Sequence, residues 1–365
     1  MRRIRSILRQ FLFIIPAMLG LLLYCLLPSF PQVAEWVFSR FLFRQISVPV
    51  GGIVSLFPFS LTELLVILAI PGSLALLVLL VVRIIRSSSR LRTAGIAAKG
   101  IAWTLSFTFL AYMLLHGVNF YRLPVQQLMG LDVSAKTPEF LQQVCIDLAQ
   151  KASEARAELS EDENGYTRLS ETLDQTLRQA DKGYRILAPD MPYLSGGVWR
   201  TKPVQMSHLW SYTGITGMYF PMLCEANVNI DVPESSIPAT AAHELAHTRG
   251  FASEDECNFL AYLTCINSPS ADYRYSGYLL AYIYCSNALY GFDTEMWGAV
   301  QPYCSDGVHR DLGERNEYWE QFEGEVEEIS SSVNDTFLEI QGVDDGVLSY
   351  DRVVELILAY YAKTM

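Results

Sequence analysis

Three uncharged apolar runs dominate the first third of the chain: Phe11 to Leu27, Leu64 to Val82 and Ile101 to Val118. Each has about the ~17–25 residues a helix needs to cross a hydrocarbon core. They predict transmembrane helices over about 11–28, 64–83 and 101–118. Arg2, Arg3, Arg5 and Arg9 ahead of the first run suit a signal peptide. No small-x-small cleavage pattern follows, and the chain runs on through Pro28, Phe30, Pro31 and Trp36, so an uncleaved anchor is the better reading.

Beyond residue 118 the pattern changes. From Thr137 to Tyr184 apolar residues recur at helical spacing (Phe140, Val144, Leu148, then Leu169, Leu173, Leu177), which predicts two helices around the turn-like Glu161–Gly165. Residues 186–210, rich in Pro and Gly and carrying Trp199 and Trp210, predict an ordered loop region. Two short runs with strand character follow, Ile215–Phe220 and Ala226–Ile230. Pro233 and Pro238 lead into a helix beginning near Thr240, and the remainder reads as mostly helical, with a Tyr-rich stretch from Tyr273 to Tyr290.

Charge divides the 365 residues the same way. Residues 1–118 hold 11 Lys/Arg against Glu35 and Glu63, a net of +9, while residues 119–365 hold 16 Lys/Arg against 37 Asp/Glu, a net of −21. So acidic a surface repels phosphate backbones, and nucleic acid is excluded as a partner. Lys and Arg mark cytoplasmic loops. Four arginines precede the first run, and Arg83, Arg86, Arg90, Arg92 and Lys99 fill the connection between the second and third. The loop between the first and second carries only Arg40 and Arg44. The N-terminus is therefore expected inside and residues 123–365 outside a cell membrane. A re-entrant first, second or third run would reverse that, leaving a cytoplasmic-facing domain. Cys25 lies in the first run; Cys145, Cys224, Cys257, Cys265, Cys285 and Cys304 make an even six beyond it, which permits disulfides without establishing pairs.

The chemistry-bearing segment is His243-Glu244-Leu245-Ala246-His247, an HExxH motif. Residues four apart on a helix lie one turn above each other, so both imidazoles can bind one zinc ion and Glu244 is directed at the water the zinc activates. Pro238 and Thr240 supply a start and Gly250 a stop around a single helix. A catalytic zinc usually takes three protein ligands. No histidine follows Gly250 until His309, and Ser253 stands where a metzincin has its third histidine. Glu254, Asp255, Glu256 and Cys257 are the nearby candidates. Glu254 to Asn258 resembles the gluzincin E-x-x-x-D spacing, with Asn able to accept an imidazole N–H; Glu254 leads and Glu256 is the alternative. The bland reading is a solvated, dipole-favoured helix start.

Gly217–Phe220 or Ala226–Ile230 can form an exposed strand edge that takes a peptide by main-chain pairing, although two ordinary core strands fit as well. Tyr275, Tyr278, Tyr282 and His309 are candidates to stabilise an oxyanion. Only His116 is ionisable within the spans, too little for a pump.

Further motifs carry a resemblance. Gly214-Ile-Thr-Gly217-Met-Tyr219-Phe220-Pro221, Glu225-Ala-Asn227-Val-Asn229, Ile237-Pro238 before HELAH, Gly250-Phe251-Ala252, Glu254-Asp255-Glu256 and Asn258-Phe259-Leu260-Ala261-Tyr262 resemble a family of uncharacterised bacterial membrane proteins, catalogued as a domain of unknown function. Phe57-Pro58-Phe59-Ser60 and Tyr275-Ser276-Gly277-Tyr278 extend the likeness over nearly the whole chain. Cys257 departs from it, standing where Ala is expected, without touching the ligand set. The resemblance implies a mainly α fold with a small β-sheet. Three transmembrane helices (residues 1–122) would precede a zincin-like α+β metallopeptidase domain (residues 123–365). The implied activity is that of a gluzincin-like zinc metalloendopeptidase, with His243, His247 and Glu254 on the metal and Glu244 catalytic. Its partners would be a lipid bilayer and a peptide or protein substrate. A non-hydrolytic zinc-binding receptor or assembly factor is the alternative.

Overall fold

The structure, a computed structural model, describes residues 11–134, 136–198, 200–341 and 350–365. Arg2, Arg3, Arg5, Arg9 and Trp199, which figure in the sequence reading, lie outside the described residues. The chain is mainly helical with two small sheets.

The N-terminal part holds α1 (Ile14–Leu26), α2 (Pro31–Val54), α3 (Leu61–Arg86) and α4 (Arg90–Leu115). Among the described residues α3 and α4 are each long and apolar enough to cross a membrane; α1 reaches that standard only as a pair with α2, bent by 116° at the break. The first run is thus not the simple span expected over 11–28, nor is the stretch after it a loop. Pro28 and Pro31 each remove a backbone donor where the direction changes. The buried positions of α2, Glu35, Ser39, Phe43, Ser47, Gly51 and Val54, fall about one turn apart on a single face. Because that face mixes Glu35, Ser39, Ser47 and Gly51 with Phe43 and Val54, hydropathy does not reveal it. At Gly51 a Cβ would meet Val198 at 2.2 Å, so only glycine lets the helix approach that closely.

α1 and α4 lie side by side and run in the same direction. Ala17 N donates to Ser106 Oγ at 2.8 Å, Gly20 abuts Phe109, and further along Leu27 joins a cluster with Met113 and Val118. The start of α3 is fixed to the C-terminal part. Leu61 N and Thr62 N donate to the Glu225 carboxylate at 3.1 and 2.7 Å, and Ser60 Oγ donates to Asn227 Oδ1 at 2.6 Å. A carboxylate there satisfies two of the amides a helix start leaves open.

In the C-terminal part α5 (Pro138–Arg156) forms as the periodicity predicts. The second expected helix is instead a hairpin (Ser160–Glu161 with Thr167–Arg168) followed by the short helices Leu173–Gln179 and Lys182–Leu187. Arg156, Thr167 and Tyr275 all turn inward onto the Asp311 carboxylate, which is fully buried. This polar anchor is assembled from four distant segments.

The three-stranded sheet has the order β1 (Lys202–Val204), β3 (Glu225–Asn229), β2 (Gly217–Phe220). β3 is central, parallel to β1 and antiparallel to β2, with Met218 opposite Asn227 and Tyr219 opposite Ala226. Of the two predicted strands, therefore, Gly217–Phe220 lies at an edge and the run at 226 in the middle. Against this sheet packs α6 (Ile237–His247), and α7 (Glu254–Ile266) and α8 (Ala271–Phe292) pack on α6 and on each other, the last being the Tyr-rich stretch with Tyr273, Tyr275 and Tyr282 buried. α9 (Asp306–Glu320), α10 (Glu325–Ile340) and α11 (Tyr350–Thr364) complete the chain. All seven cysteines carry free thiols.

Candidate metal centre

α6 starts with Pro238 in its first turn, where the missing N–H is no loss. Ala239 N donates to Ser276 Oγ at 3.0 Å, and Tyr184 OH donates to Ala242 O at 2.7 Å. The helix stops at Gly250, whose φ of +81° suits glycine alone, with Gly250 N bonded to His247 O and Phe251 N to Ala246 O. That reversal turns the chain back so that α7 begins beside α6, with Glu254 in its first turn.

The outcome is convergence. Glu254 Oε2 lies 3.0 Å from His243 Nε2, and Glu254 Oε1 lies 3.6 Å from His247 Nε2. Each ring is oriented from behind: His243 Nδ1 lies 2.8 Å from Asn258 Oδ1 and His247 Nδ1 lies 2.9 Å from Phe251 O. With acceptors at both Nδ1 positions, each Nδ1 carries a proton and each Nε2 faces Glu254 and the cleft. Burial opposes charge on Glu254, yet the charge of His247 and the hydrogen bond from His243 hold it down at about 2. Burial likewise disfavours a charged His243, yet the bond and charge of Glu254 push it up to about 9. Two imidazoles and a carboxylate with such mutual attraction make a donor set suited to a cation.

His243, His247 and Cys257 also bring one potential ligand atom each within 4.8 Å of one another, and this group can hold a metal ion. Cys257 Sγ, however, lies 3.4 Å from His247 Nδ1 and 3.6 Å from Phe251 O, at the ring edge turned away from Glu254. Burial first, then the surrounding carboxylates, lift its thiol well above the ordinary value. Glu256 is turned away too, its Oε1 accepting from Val125 N at 2.6 Å.

Glu244 is buried beneath β2, its Oε2 without a hydrogen-bond partner among the described residues. Burial raises it to about 8, against the pull of His243. A Cβ at Gly217 would stand 2.4 Å from Glu244 Oε1, so the glycine of the edge strand makes room for this carboxylate.

His243, Glu244, His247 and Glu254 all open into one cavity of about 1960 Å³, which β2 borders. None of Tyr275, Tyr278, Tyr282 and His309 lines it. Tyr275 is spent on Asp311, and Tyr282 and His309 both meet Gln301. Among the polar groups that line the cavity is His116, just past the end of α4. Its ring centroid lies 6.1 Å from that of His247 and 5.8 Å from that of Tyr219, and its Nδ1 has no partner among the described residues. The sequence holds a clue, since a lone ionisable residue at the end of a span is by default a functional one.

No curated protein and no solved structure matches the chain. Residues 38–358, which include every residue of this centre, match the family described as "Protein of unknown function (DUF3810)". The chain belongs to that family.

Proposed function

We propose that this protein is a membrane-anchored, zinc-dependent peptidase in which His243, His247 and Glu254 hold the metal. The observation that carries the reading is the aim of both Nε2 atoms at one carboxylate, each ring fixed from behind by an acceptor. Two imidazoles and one carboxylate leave a position open, the pattern of catalytic rather than structural zinc. In such a set zinc supplies a Lewis acid that polarises a peptide carbonyl and makes water nucleophilic near neutral pH.

The chain's own groups do the rest. Glu244, with its unpartnered oxygen on the cavity, takes the proton from the attacking water and returns it to the leaving amine. β2 offers its free edge to an extended peptide, which aligns the substrate by main-chain hydrogen bonds. His116 faces His247 and supports the charge that develops on the carbonyl oxygen. The zincin-like character of residues 123–365 is part of the same proposal.

An extracytoplasmic placement is also supported. α1 and α4 run parallel, as three crossings require. The α3–α4 turn, flanked by Arg83, Arg86, Arg90 and Arg92, is at the far end of two 26-residue helices from the site. At 1.5 Å per residue the two ends lie roughly 39 Å apart. Positive charge marks that end as cytoplasmic.

The test uses full-length protein in detergent with a mixed peptide substrate. Glu244→Gln is expected to retain zinc and lose hydrolysis. Hydrolysis at the wild-type rate would sink the mechanism, and zinc without cleavage by the wild type would favour a receptor or assembly role.

A further inference from the structure

We infer that the substrate is a polypeptide anchored in the same bilayer by an apolar segment, which reaches the metal centre along one face of α4; this rests on the peptidase reading above. The cavity does not stop at the histidines. It continues along Leu105, Thr108, Phe109, Tyr112 and His116. These positions are spaced three, one, three and four apart, which is a single helical stripe. Eleven residues at 1.5 Å each extend it about 16 Å. α4 is one of the two helices long and apolar enough to span, and Leu105 in that stripe is 65% exposed. One wall of the cleft is thus a surface that the hydrocarbon core itself would cover.

The wall beside α4 carries a second, independent sign. α10 turns Glu327, Ser331 and Asn334 to the cavity and leaves Val326, Ile329, Val333 and Ile340 exposed. Their spacing of three, four and seven makes one apolar face, the form of a helix that lies in a membrane interface. Its end is tied to α1, with Tyr24 OH donating to Ile340 O at 2.7 Å, and Phe337 packs against Tyr112 and Phe120. The cleft is therefore bounded by a spanning helix and an amphipathic one, and its mouth opens where apolar surfaces meet. Its volume of about 1960 Å³ is about twice that of the largest usual small-molecule pockets, ~1,000 Å³. An extended chain on β2 with an apolar continuation against Leu105 and Phe109 fits both ends. At ~3.3 Å per extended residue, 16 Å corresponds to about five residues between the anchor's contact at Leu105 and the bond cut.

The test takes the full chain in phosphatidylethanolamine–phosphatidylglycerol vesicles. One probe is a Leu/Ala-rich span of about 20 residues continued by a mixed-sequence polar stalk; the other is the stalk alone. In Glu244→Gln, a benzophenone amino acid replaces Leu105 or, as control, the lipid-facing Leu79 of α3. The anchored probe is expected to crosslink at position 105 and not at 79. Wild-type protein is expected to cut the anchored stalk on the order of 10²-fold faster than the free one. Thr108→Trp, which fills the stripe, should bring that ratio towards one. Equal crosslinking at both positions, or equal cleavage of both probes, overturns the inference. A specific crosslink at position 105 with no cleavage by the wild type upholds the docking and brings down the peptidase reading instead.

Discussion

Glu35 and Arg122 form a two-pronged ion pair in the interior, Nε to Oε2 at 2.8 Å and Nη2 to Oε1 at 3.0 Å. The third arm of the guanidinium, Nη1, donates to Gly250 O at 2.7 Å, and its carbon lies 3.9 Å from the centre of the Phe251 ring. Gly250 and Phe251 are the turn that joins the two histidines to Glu254. A residue of α2 and the segment after α4 thereby hold the geometry of the centre, so the N-terminal part is more than a tether.

Arg40 Nε also donates to Glu35 Oε1 at 2.5 Å, so loss of Glu35 strands the buried Arg122 whereas loss of Arg122 leaves Glu35 to Arg40 alone. Glu35→Gln is expected to cost about 3–5 kcal/mol in denaturant unfolding of the full chain in detergent, and Arg122→Met less, because Arg40 still pairs with Glu35. The double variant should cost less than the two together, since the sites share one interaction. A loss below ~1 kcal/mol for either single change, the scale of exposed pairs, would contradict the account.

The metal content of the full chain separates the acidic candidates. His247→Ala and Glu254→Ala should lose the metal, while Glu256→Gln keeps it because Glu256 is engaged with Val125 N. Elemental analysis of the purified proteins decides. Metal lost only in Glu256→Gln would move the ligand. The full chain is needed because residues 123–365 alone lack Glu35, Arg122 and the buried face of α2.

Asn258 orients a ring from behind. Asn258→Ala removes the acceptor at His243 Nδ1, and metal affinity measured by chelator competition should fall about 10–100-fold. Asn258→Asp, which keeps an acceptor, should restore most of it. Unchanged affinity in Asn258→Ala would remove the residue from the centre.

Gly217→Ala places a Cβ 2.4 Å from Glu244 Oε1. The carboxylate must move while the histidines stay, so metal content should hold and hydrolysis should fall on the order of 10²-fold, the cost of about 1 Å of misplacement. Metal lost along with activity would mean the strand itself had shifted.

Lys202 reports on the joint between sheet and α2. Its amine donates to the carbonyl oxygens of Val54 and Phe57. Burial, then Arg200, lowers it from 10.5 to about 8. With the folded value below the unfolded one, the unfolded chain holds the extra proton between those limits. Stability should therefore rise with pH from about 8 to 10.5. Lys202→Met should flatten that rise in unfolding midpoints taken across the range. An identical slope in both proteins would show the amine to be solvated.

Local pattern was enough to reveal part of the molecule. The HExxH spacing, the Pro238 start, the Gly250 stop and the apolar runs of α3 and α4 are short-range properties, so the sequence shows them directly. Even the pairing of Asn258 with an imidazole follows from four-residue spacing on α7. What lay beyond reach depends on contacts between distant segments. α2 buries a stripe of mixed polarity, which hydropathy does not single out. Glu254 is separated from Glu256 only by where the Gly250 turn sends α7, since both carboxylates have the same chemistry in the chain. Which strand is the edge is set by pairing order, and strands of similar composition do not encode it locally. His116 reaches His247 across 131 residues of sequence, and the two rings meet only once Leu115, at the end of α4, has packed with Tyr219 of the sheet. The sequence determined which groups are available; the tertiary structure decided which of them meet, because convergence is a property of packing and not of spacing.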